Sequence, residues 1–253
     1  MITLVVPCFN EANRFNISNW QLLVDSFPDY QWVFVNDGSG DATAQTLQLL
    51  IGKNVKVLNL PKNLGKGEAI RAGMISALDS NQAGQPEQIG YLDADGAFNI
   101  SDISKMLDLA NNYLGPMTSY CALISSRVKL AGRSISRSSL RHYLGRIIAT
   151  FICAGWNNAP YDTQSGFKLF RVDSLFCNII AKKFRTRWFF DIEILLELER
   201  SSQLQVWEEP LSQWREIGNS KINSRQYYLI FKEVLKIRAL IKKHNTYLNR
   251  NSR

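Results

Sequence analysis

Short apolar runs alternate with longer segments of mixed polarity along the first half of the chain. The runs are continuous and rich in β-branched residues, as expected for strands that are covered on both faces. Strands that alternate with helices favour βαβ units and a mostly parallel sheet with helices on both faces. The pattern predicts strands at 2–6, 32–35, 55–60 and 89–92, and helices at 20–26, 42–51 and 67–78.

The second half of the chain has a less regular pattern. It predicts helices at 102–113 and 191–199 and strands at 122–126 and 206–207. Between them, Arg133, Arg137 and Arg141 recur at four-residue spacing and would share one face if their segment is helical. Such a face is either solvated or forms a wall that binds anions.

The segment 227–243 combines an apolar stripe with lysine and arginine residues, which is the pattern of an amphipathic basic helix. Its apolar stripe either packs on the rest of the protein or lies in a membrane interface. A second basic and aromatic cluster spans 182–190. Each basic residue near an anionic leaflet adds about 1 kcal/mol of attraction, so the two clusters together would suffice for peripheral binding if they face the same way.

Composition narrows the class of protein. The chain has 253 residues, of which 45% are hydrophobic, and this favours a folded protein over a disordered one. Its formal net charge of +8 favours acidic partners, namely phosphates, nucleic acid or an anionic membrane surface. The cysteines form no Cys-x-x-Cys pair, so we expect a reducing cytoplasm rather than a zinc site or a disulfide framework. No apolar run approaches the roughly 20 residues needed to cross a bilayer, so we expect at most peripheral contact with a membrane.

A pair of carboxylates, Asp93 and Asp95, directly follows the apolar run 89–92. Unpaired carboxylates are costly to bury, so this pair requires a cation or water. At the carboxyl end of a strand, one acid can hold a divalent metal ion while the other contacts a polar ligand. A solvated turn is the alternative interpretation.

Two other predicted strands also end in polar or glycine-containing loops, at 7–11 and 36–39. The carboxyl ends of parallel strands lie at one edge of a sheet, where ligands bind in α/β proteins. We therefore expect these two loops and the segment 93–96 to form one site.

Taken in order, seven motifs carry a resemblance to a known family. They are VVPCFNE at 5–11, VNDGS at 35–39, NLGKG at 63–67, DADG at 93–96, SSR at 125–127, DTQSGFK at 162–168 and GNSK at 218–221. The chain resembles the family 2 glycosyltransferases of the GT-A fold, most closely the dolichyl-phosphate mannose or glucose synthase branch. The resemblance implies a GT-A catalytic domain over 1–222 with a Rossmann-like, mostly parallel sheet, followed by a basic amphipathic helix and tail over 223–253.

The resemblance also implies a reaction, in which an inverting enzyme moves a hexose from a UDP- or GDP-sugar to a polyprenyl phosphate such as dolichyl or undecaprenyl phosphate. It assigns donor contacts to Pro7, Phe9, Glu11, Asp37, Lys66, Asp93 and Ala94. Asp95 would ligate Mg²⁺ or Mn²⁺ at the two donor phosphates. Relatives often have a polar residue where this chain has Ala97, so water, phosphate or Asn99 is expected to complete the metal ligands.

Further residues are implied around the phosphates and the acceptor. They are Arg127, Asp162, Gln164, Arg215 and Lys221, with Arg141 as a looser candidate. A polyprenyl phosphate is largely ionised at neutral pH, so its attack requires no strong general base. Cationic side chains and alignment would then supply most of the catalysis.

A saccharide hydroxyl is the alternative acceptor, as in surface polysaccharide synthesis, and it would require a carboxylate base. Asp191 is the first candidate for this base and Asp162 the second. Their alternative roles are a helix N-cap for Asp191 and a turn former for Asp162. The expected catalytic residues are therefore Asp93, Asp95, Arg127 and Asp191.

Other functional classes fit less well. A sugar nucleotidyltransferase would have a Gly-rich triphosphate loop near its N-terminus, and the sequence has none there. A nucleic-acid-binding protein would explain the positive charge but not the acidic strand ends, so no nucleic acid partner is expected. A non-catalytic module that binds a nucleotide sugar stays open because of Ala97. The expected partners are a nucleotide sugar, a polyprenyl phosphate or glycan acceptor, and a membrane surface or membrane protein.

Overall fold

The computed structural model describes residues 1–50, 52–79, 85–136, 139–200, 205–217 and 224–251. The strands are β1 (Ile2–Cys8), β2 (Gln31–Asn36), β3 (Val55–Asn59), β4 (Gln88–Leu92), β5 (Tyr120–Ser126), β6 (Ser134–Ser136), β7 (Phe167–Arg171), β8 (Gln205–Pro210) and β9 (Gln213–Arg215). The helices are α1 (Ile17–Ser26), α2 (Thr43–Gln48), α3 (Lys66–Leu78), α4 (Ile100–Tyr113), α5 (Ser139–Cys153), α6 (Ser174–Ile180), α7 (Phe190–Arg200) and α8 (Ser224–Asn251).

A seven-stranded sheet forms the centre of the protein, in the order β3-β2-β1-β4-β7-β5-β8. The strands β1, β2, β3 and β4 pair in parallel, and β5 is parallel to β8. Within this sheet β7 runs antiparallel to both of its neighbours, β4 and β5. The prediction of a mostly parallel α/β sheet is confirmed.

β7 is a strand that the apolar pattern did not identify. It is short and contains the charged Lys168, so it does not stand out from the turn residues that precede it. Its pairing with β4 depends on Gly90, because a Cβ there would overlap the carbonyl oxygen of Lys168. The pairing also carries the segment 162–166 to the carboxyl end of β4, where the Asp93 N–H donates to the Gly166 carbonyl at 2.9 Å.

Apolar side chains cover both faces of the sheet. Val5, Val35 and Ile89 are buried on one face, where α3, α6, α7 and α8 pack. Leu4 and Phe34 are buried on the other face, against α1, α2 and α4. Because successive side chains of a strand point to opposite faces, each strand contributes to both layers of the core.

α8 extends the predicted helix 227–243 at both ends. Its residues Val234, Ile237 and Ile241 are buried and belong to the same apolar cluster as one face of the sheet. Part of the apolar stripe therefore packs on the domain, while Tyr228 and Phe231 are exposed. In the described part of the chain, every helix is too short or too polar to span a membrane. The division of the chain at 222 and 223 stays a prediction, since these residues lie outside the described ranges.

The proposed row of arginines at four-residue spacing is not one helical face. Arg133 precedes β6, which pairs with β9 in a separate two-stranded sheet, and α5 begins only at Ser139. The pairing with β9 holds 134–136 in an extended conformation, so Arg133 lies outside α5, the helix that contains Arg141. Arg137 lies outside the described residues.

Candidate active site

A cavity of about 290 Å³ opens at the carboxyl ends of β1, β2 and β4, and we call it the first cavity. Its lining includes the residues predicted to contact the donor and the metal, namely Pro7, Phe9, Glu11, Asp37, Lys66, Asp93, Ala94 and Asp95. The three strand-end loops therefore meet around one space. The other residues of the lining had been given no donor or metal role from the sequence, although most lie in its motifs or in the cluster 182–190: Cys8, Arg14, Asn63, Gly65, Ala69, Arg187 and Trp188.

Asp37 is only 2% exposed beneath this cavity. Its carboxylate accepts hydrogen bonds from the backbone N–H of Leu64 at 2.7 Å and of Gly65 at 2.9 Å. It also accepts one from Asn63 Nδ2 at 2.9 Å. Burial raises the pKa of Asp37, while these backbone donors and the charge of Arg187 oppose the increase. Asp37 therefore holds the loop that leads into α3 and leaves little of its carboxylate for a ligand.

Lys66 is the first residue of α3. Its Nζ lies 2.6 Å from Asp93 Oδ1, and both side chains are partly exposed. Gly65, with a φ of +94°, precedes the helix and offers no side chain to cap its first N–H groups. A helix N-terminus with a lysine beside it attracts anions, so this end of the first cavity is suited to a phosphate group.

Asp95 lies close to Asp93, and its Oδ1 accepts the backbone N–H of Ala97 at 3.1 Å. Burial and then the charge of Asp93 raise the pKa of Asp95. No group of three His, Cys, Asp or Glu side chains suited to a metal ion occurs in the described ranges. Mg²⁺ is nevertheless often held by one or two carboxylates together with substrate phosphates and water. The paired carboxylates therefore fit a divalent ion that arrives with a phosphorylated ligand.

Asn99, which the sequence offered as a further metal ligand, is engaged in capping α4. Its Oδ1 accepts the Asp102 N–H at 2.8 Å, and its Nδ2 donates to Asp102 Oδ2 at 2.8 Å. Ala97 is buried in a small apolar cluster with Ile135 and Trp214. The contacts of both residues leave water and phosphate as the better candidates for the remaining metal ligands.

Glu11 and Arg14 form an ion pair in the wall of the first cavity. The Arg14 Nη2 donates to Glu11 Oε1 at 2.5 Å, and its Nε donates to Glu11 Oε2. The hydrogen bond to Glu11 raises the pKa of Arg14, against the effect of burial, and the charges of Asp95 and Asp93 add to the increase. The position of Arg14 in the same strand-end loop, three residues after Glu11, is the sequence signal that could have identified it.

A second cavity, of about 150 Å³, lies between α5 and the segment 161–164. Arg127 and Asp162 form a two-pronged ion pair in its wall, with Nε to Oδ2 and Nη2 to Oδ1 both at 2.7 Å. Although burial opposes ionisation, the charge and hydrogen bonds of Arg127 hold the pKa of Asp162 at about 2. Arg146 of α5 also lines this cavity and donates to the Tyr161 carbonyl at 2.6 Å. The two arginines outnumber the one carboxylate among these residues, which suits an anion.

A buried network of hydrogen bonds centres on Lys168 of β7. Lys168 Nζ is fully buried and donates to Tyr91 Oη at 2.9 Å, to the Ser165 carbonyl at 2.6 Å and to Asp191 Oδ2 at 2.9 Å. Gln164 Nε2 donates to Asp191 Oδ1 at 3.0 Å. Burial lowers the pKa of Lys168, while the charge of Asp191 opposes the decrease. The N-cap interpretation of Asp191 is wrong, because α7 begins at Phe190 and the carboxylate turns towards Lys168.

The other predicted basic residues stand apart from this arrangement. Arg215 is exposed on β9 and is absent from the lining of both cavities. Its neighbour Trp214 points inward instead, with its ring 5.3 Å from the Arg127 guanidinium carbon. Lys221 lies outside the described residues, as does the side chain of Arg141.

Comparison with protein families decides the identity of the chain. Residues 3–130 match the family described as glycosyl transferase family 2. The chain belongs to this family. The resemblance inferred from the motifs is thereby confirmed.

Curated relatives of this family 2 glycosyltransferase share one description. A dolichyl-phosphate beta-glucosyltransferase of Trichomonas vaginalis is 33% identical over 87% of this chain and 65% of its own length. The dolichyl-phosphate beta-glucosyltransferase of Homo sapiens is 31% identical over 87% of this chain and 69% of its own length. The chain therefore spans about two thirds of the length of these relatives.

Solved structures confirm the GT-A fold of this family 2 glycosyltransferase. Glucosyl-3-phosphoglycerate synthase from Mycobacterium tuberculosis, in complex with Mn²⁺, UDP and phosphoglyceric acid, aligns with a TM-score of 0.64 at 13% identity. That alignment covers 97% of this chain and 78% of the other. The same synthase in complex with Mg²⁺ and UDP aligns with a TM-score of 0.60 at 14% identity. At this level of identity the similarity concerns the fold alone.

Proposed function

We propose that this glycosyltransferase moves a glucosyl group from UDP-glucose to dolichyl phosphate or a related polyprenyl phosphate, with inversion at the anomeric carbon. The names of its curated relatives support both the sugar and the lipid acceptor. The UDP bound in the structurally similar synthase supports the nucleotide. The observation that carries the proposal is that Asp93 lines the first cavity while its charge also acts on Arg127, which lines the second.

In this proposal the first cavity binds the donor. Glu11 and Asp37 lie in the strand-end loops on the nucleoside side, together with Pro7 and Phe9. The Lys66 ammonium and the N-terminus of α3 would meet the pyrophosphate, and Asp93 would contact the sugar. Lys66 leaves its ion pair with Asp93 at little cost, because both side chains are partly exposed.

Asp95 would hold Mg²⁺ or Mn²⁺ together with oxygens of the donor phosphates and water. Such an ion would neutralise the charge that develops on the departing diphosphate. The raised pKa of Asp95 supports this assignment, because a cation would offset the repulsion from Asp93. Lys66 and the N-terminus of α3 would add to the stabilisation of the same diphosphate.

The second cavity would bind the acceptor phosphate. Arg127 uses two of its N–H groups on Asp162, and a guanidinium has five, so donors remain for a phosphate. An ionised phosphate oxygen can attack the anomeric carbon without a general base. The saccharide alternative is less favoured, because Asp191 is 3% exposed and already accepts from Lys168 and Gln164.

A lipid acceptor also requires access to a membrane surface. The exposed apolar residues on α5 and α8 would supply this contact, namely Tyr143, Ile147, Phe151, Tyr228, Phe231 and Leu235. The exposed lysines Lys232 and Lys236 lie on the same outer side of α8 and would attract an anionic leaflet. We therefore propose peripheral contact with the cytoplasmic face of a membrane.

The test is a transfer assay with UDP-glucose and GDP-mannose, with Mn²⁺ or EDTA, and with or without a short polyprenyl phosphate. We expect Mn²⁺-dependent transfer of glucose to the lipid, and a loss of about a thousandfold in Asp95→Asn. The variant should keep its thermal stability, since the change removes one of two neighbouring carboxylates. Transfer to a saccharide that depends on Asp191 would support the alternative acceptor, and donor binding without any turnover would contradict a catalytic role.

A further inference from the structure

The segment 184–189, between α6 and α7, forms one wall of the first cavity through Arg187 and Trp188. We call it the wall segment. It has no regular secondary structure that would satisfy its backbone N–H groups, yet several of them are paired with carboxylates. The N–H groups of Arg185 and Thr186 donate to Glu193 of α7. Those of Arg187 and Trp188 donate to Glu233 of α8.

Glu233 belongs to a different part of the chain from the segment that it holds. Its Oε1 accepts the Arg187 N–H at 2.9 Å, and its Oε2 accepts the Trp188 N–H at 3.1 Å. The side chain is only 7% exposed. A carboxylate at this depth is stable only when its oxygens are satisfied, so the contact fixes both partners. The next residue on α8, Val234, anchors the helix in the core.

Arg187 connects the wall segment through hydrogen bonds to other residues that line the first cavity. Its Nη2 donates to Asn63 Oδ1 at 2.7 Å, and Asn63 in turn donates to Asp37 at 2.9 Å. Gly65 permits the contact, because a Cβ there would lie 2.6 Å from Arg187 Nε. The Arg187 carbonyl also accepts the Gly67 N–H at the start of α3, at 3.4 Å. The wall segment and the N-terminus of α3 therefore form one connected unit.

We infer that Glu233 is a positioning residue for donor binding, which acts by holding Arg187 and Trp188 against the first cavity. The inference rests on the proposed function, in that the ligand of this cavity is taken to be a nucleoside diphosphate sugar. It makes the C-terminal helix part of the donor site rather than an attachment to it. Arg187 then contributes its charge to the donor, and Glu233 determines where that charge lies.

The first test compares wild type with Glu233→Gln, using equilibrium binding of UDP in the presence of Mn²⁺ together with steady-state kinetics. A glutamine retains one acceptor oxygen, but its NH₂ group is a donor and cannot accept the second backbone N–H, so one of the two hydrogen bonds is lost. Loss of such a hydrogen bond should weaken UDP binding and raise the KM for the donor by about fivefold to tenfold. The KM for the acceptor should change less than twofold, because the contacts of the second cavity are untouched. An unchanged UDP affinity in a folded variant would overturn the inference.

Glu197→Gln is the matched control, since it makes the same substitution on α7, where Glu197 is 48% exposed and pairs with Arg200. This control should bind UDP like wild type. If UDP binding were weakened equally in both variants, the loss of any one carboxylate charge would be sufficient to weaken it. That result would overturn the role of Glu233.

Arg187→Ala tests the same route without disturbing the backbone bonds to Glu233, so it does not depend on the folding of the Glu233 variant. It should weaken UDP binding, and adding Glu233→Gln should then weaken it by less than twofold further. Full additivity would overturn the inference. Failure of wild type to bind any nucleotide would overturn the proposed function as well, whereas normal binding by wild type and Arg187→Ala would overturn the inference alone.

Discussion

The two cavities shift the pKa of their carboxylates in opposite directions. In the first cavity, burial raises the pKa of Asp37 and of Asp95. In the second, Arg127 holds the pKa of Asp162 at about 2. The ionised form of Asp95 would therefore be stabilised by a bound cation, while Asp162 has its counter-ion within the fold. The difference teaches that the Asp95 carboxylate depends on what binds beside it, whereas the charge of Asp162 is compensated before anything binds.

The two cavities also differ in how far apart in the sequence their residues lie. The strands β1 to β4 and the loops that follow them supply most of the lining of the first cavity, so most of its residues lie within short motifs. The second depends on a pair, Arg127 and Asp162, that is 35 positions apart in the sequence. It also depends on β7, which brings the segment 162–166 to the end of β4. Disruption of the second cavity should therefore affect folding as well as activity.

The largest effect on stability is expected when the buried guanidinium of Arg127 is removed. Arg127→Met would leave Asp162 without its charged partner, and the free energy of unfolding should fall by about 3 kcal/mol. The double variant Arg127→Met, Asp162→Asn should recover most of this loss while remaining inactive towards the lipid acceptor. Urea denaturation and the transfer assay measure the two effects. A single variant as stable as wild type would contradict the internal compensation of the second cavity.

A smaller effect on the free energy of unfolding is expected at low pH, where Asp162 becomes protonated. The folded-state pKa of Asp162, about 2, is below the ordinary value of 3.8, so its ionised form stabilises the fold above about pH 4. This contribution, on the order of 2 kcal/mol, should disappear as the pH falls from about 4 to about 2. The double variant Arg127→Met, Asp162→Asn lacks the titrating group. Its stability relative to wild type should rise over this window in urea denaturation, and parallel curves would contradict the low pKa.

The smallest effect concerns Asn99, the N-cap of α4, which follows Asp95 by four positions in the sequence. Asn99→Ala removes the cap of α4 and should reduce the free energy of unfolding by about 1 kcal/mol. The Mn²⁺ concentration needed for half-maximal transfer should stay as in wild type, because the cap and not the metal uses this side chain. Asn99→Ser serves as the control that retains a capping oxygen. A shifted Mn²⁺ requirement in Asn99→Ala would instead make Asn99 a metal ligand.

Much of the first cavity could be predicted from the sequence, because each motif directly follows an apolar strand. Asp93 and Asp95 are the clearest case, since two acids at a buried strand end require a partner in any α/β fold. Arg187 and Trp188 could not be predicted in this way. They reach the same cavity through backbone contacts to Glu233, which lies 46 positions further along the chain from Arg187.

The sequence by itself determined the fold class, the family and the carboxylate pair, because strand periodicity and the strand-end motifs are local properties of the chain. The tertiary structure alone decided the partners of the charged groups. It paired Arg127 with Asp162, turned Asp191 towards the buried Lys168, set Arg215 outside both cavities and made α8 a support for the first one. The physical reason is that the state of a buried charge depends on its counter-ion, and in these cases the counter-ion comes from a distant part of the sequence.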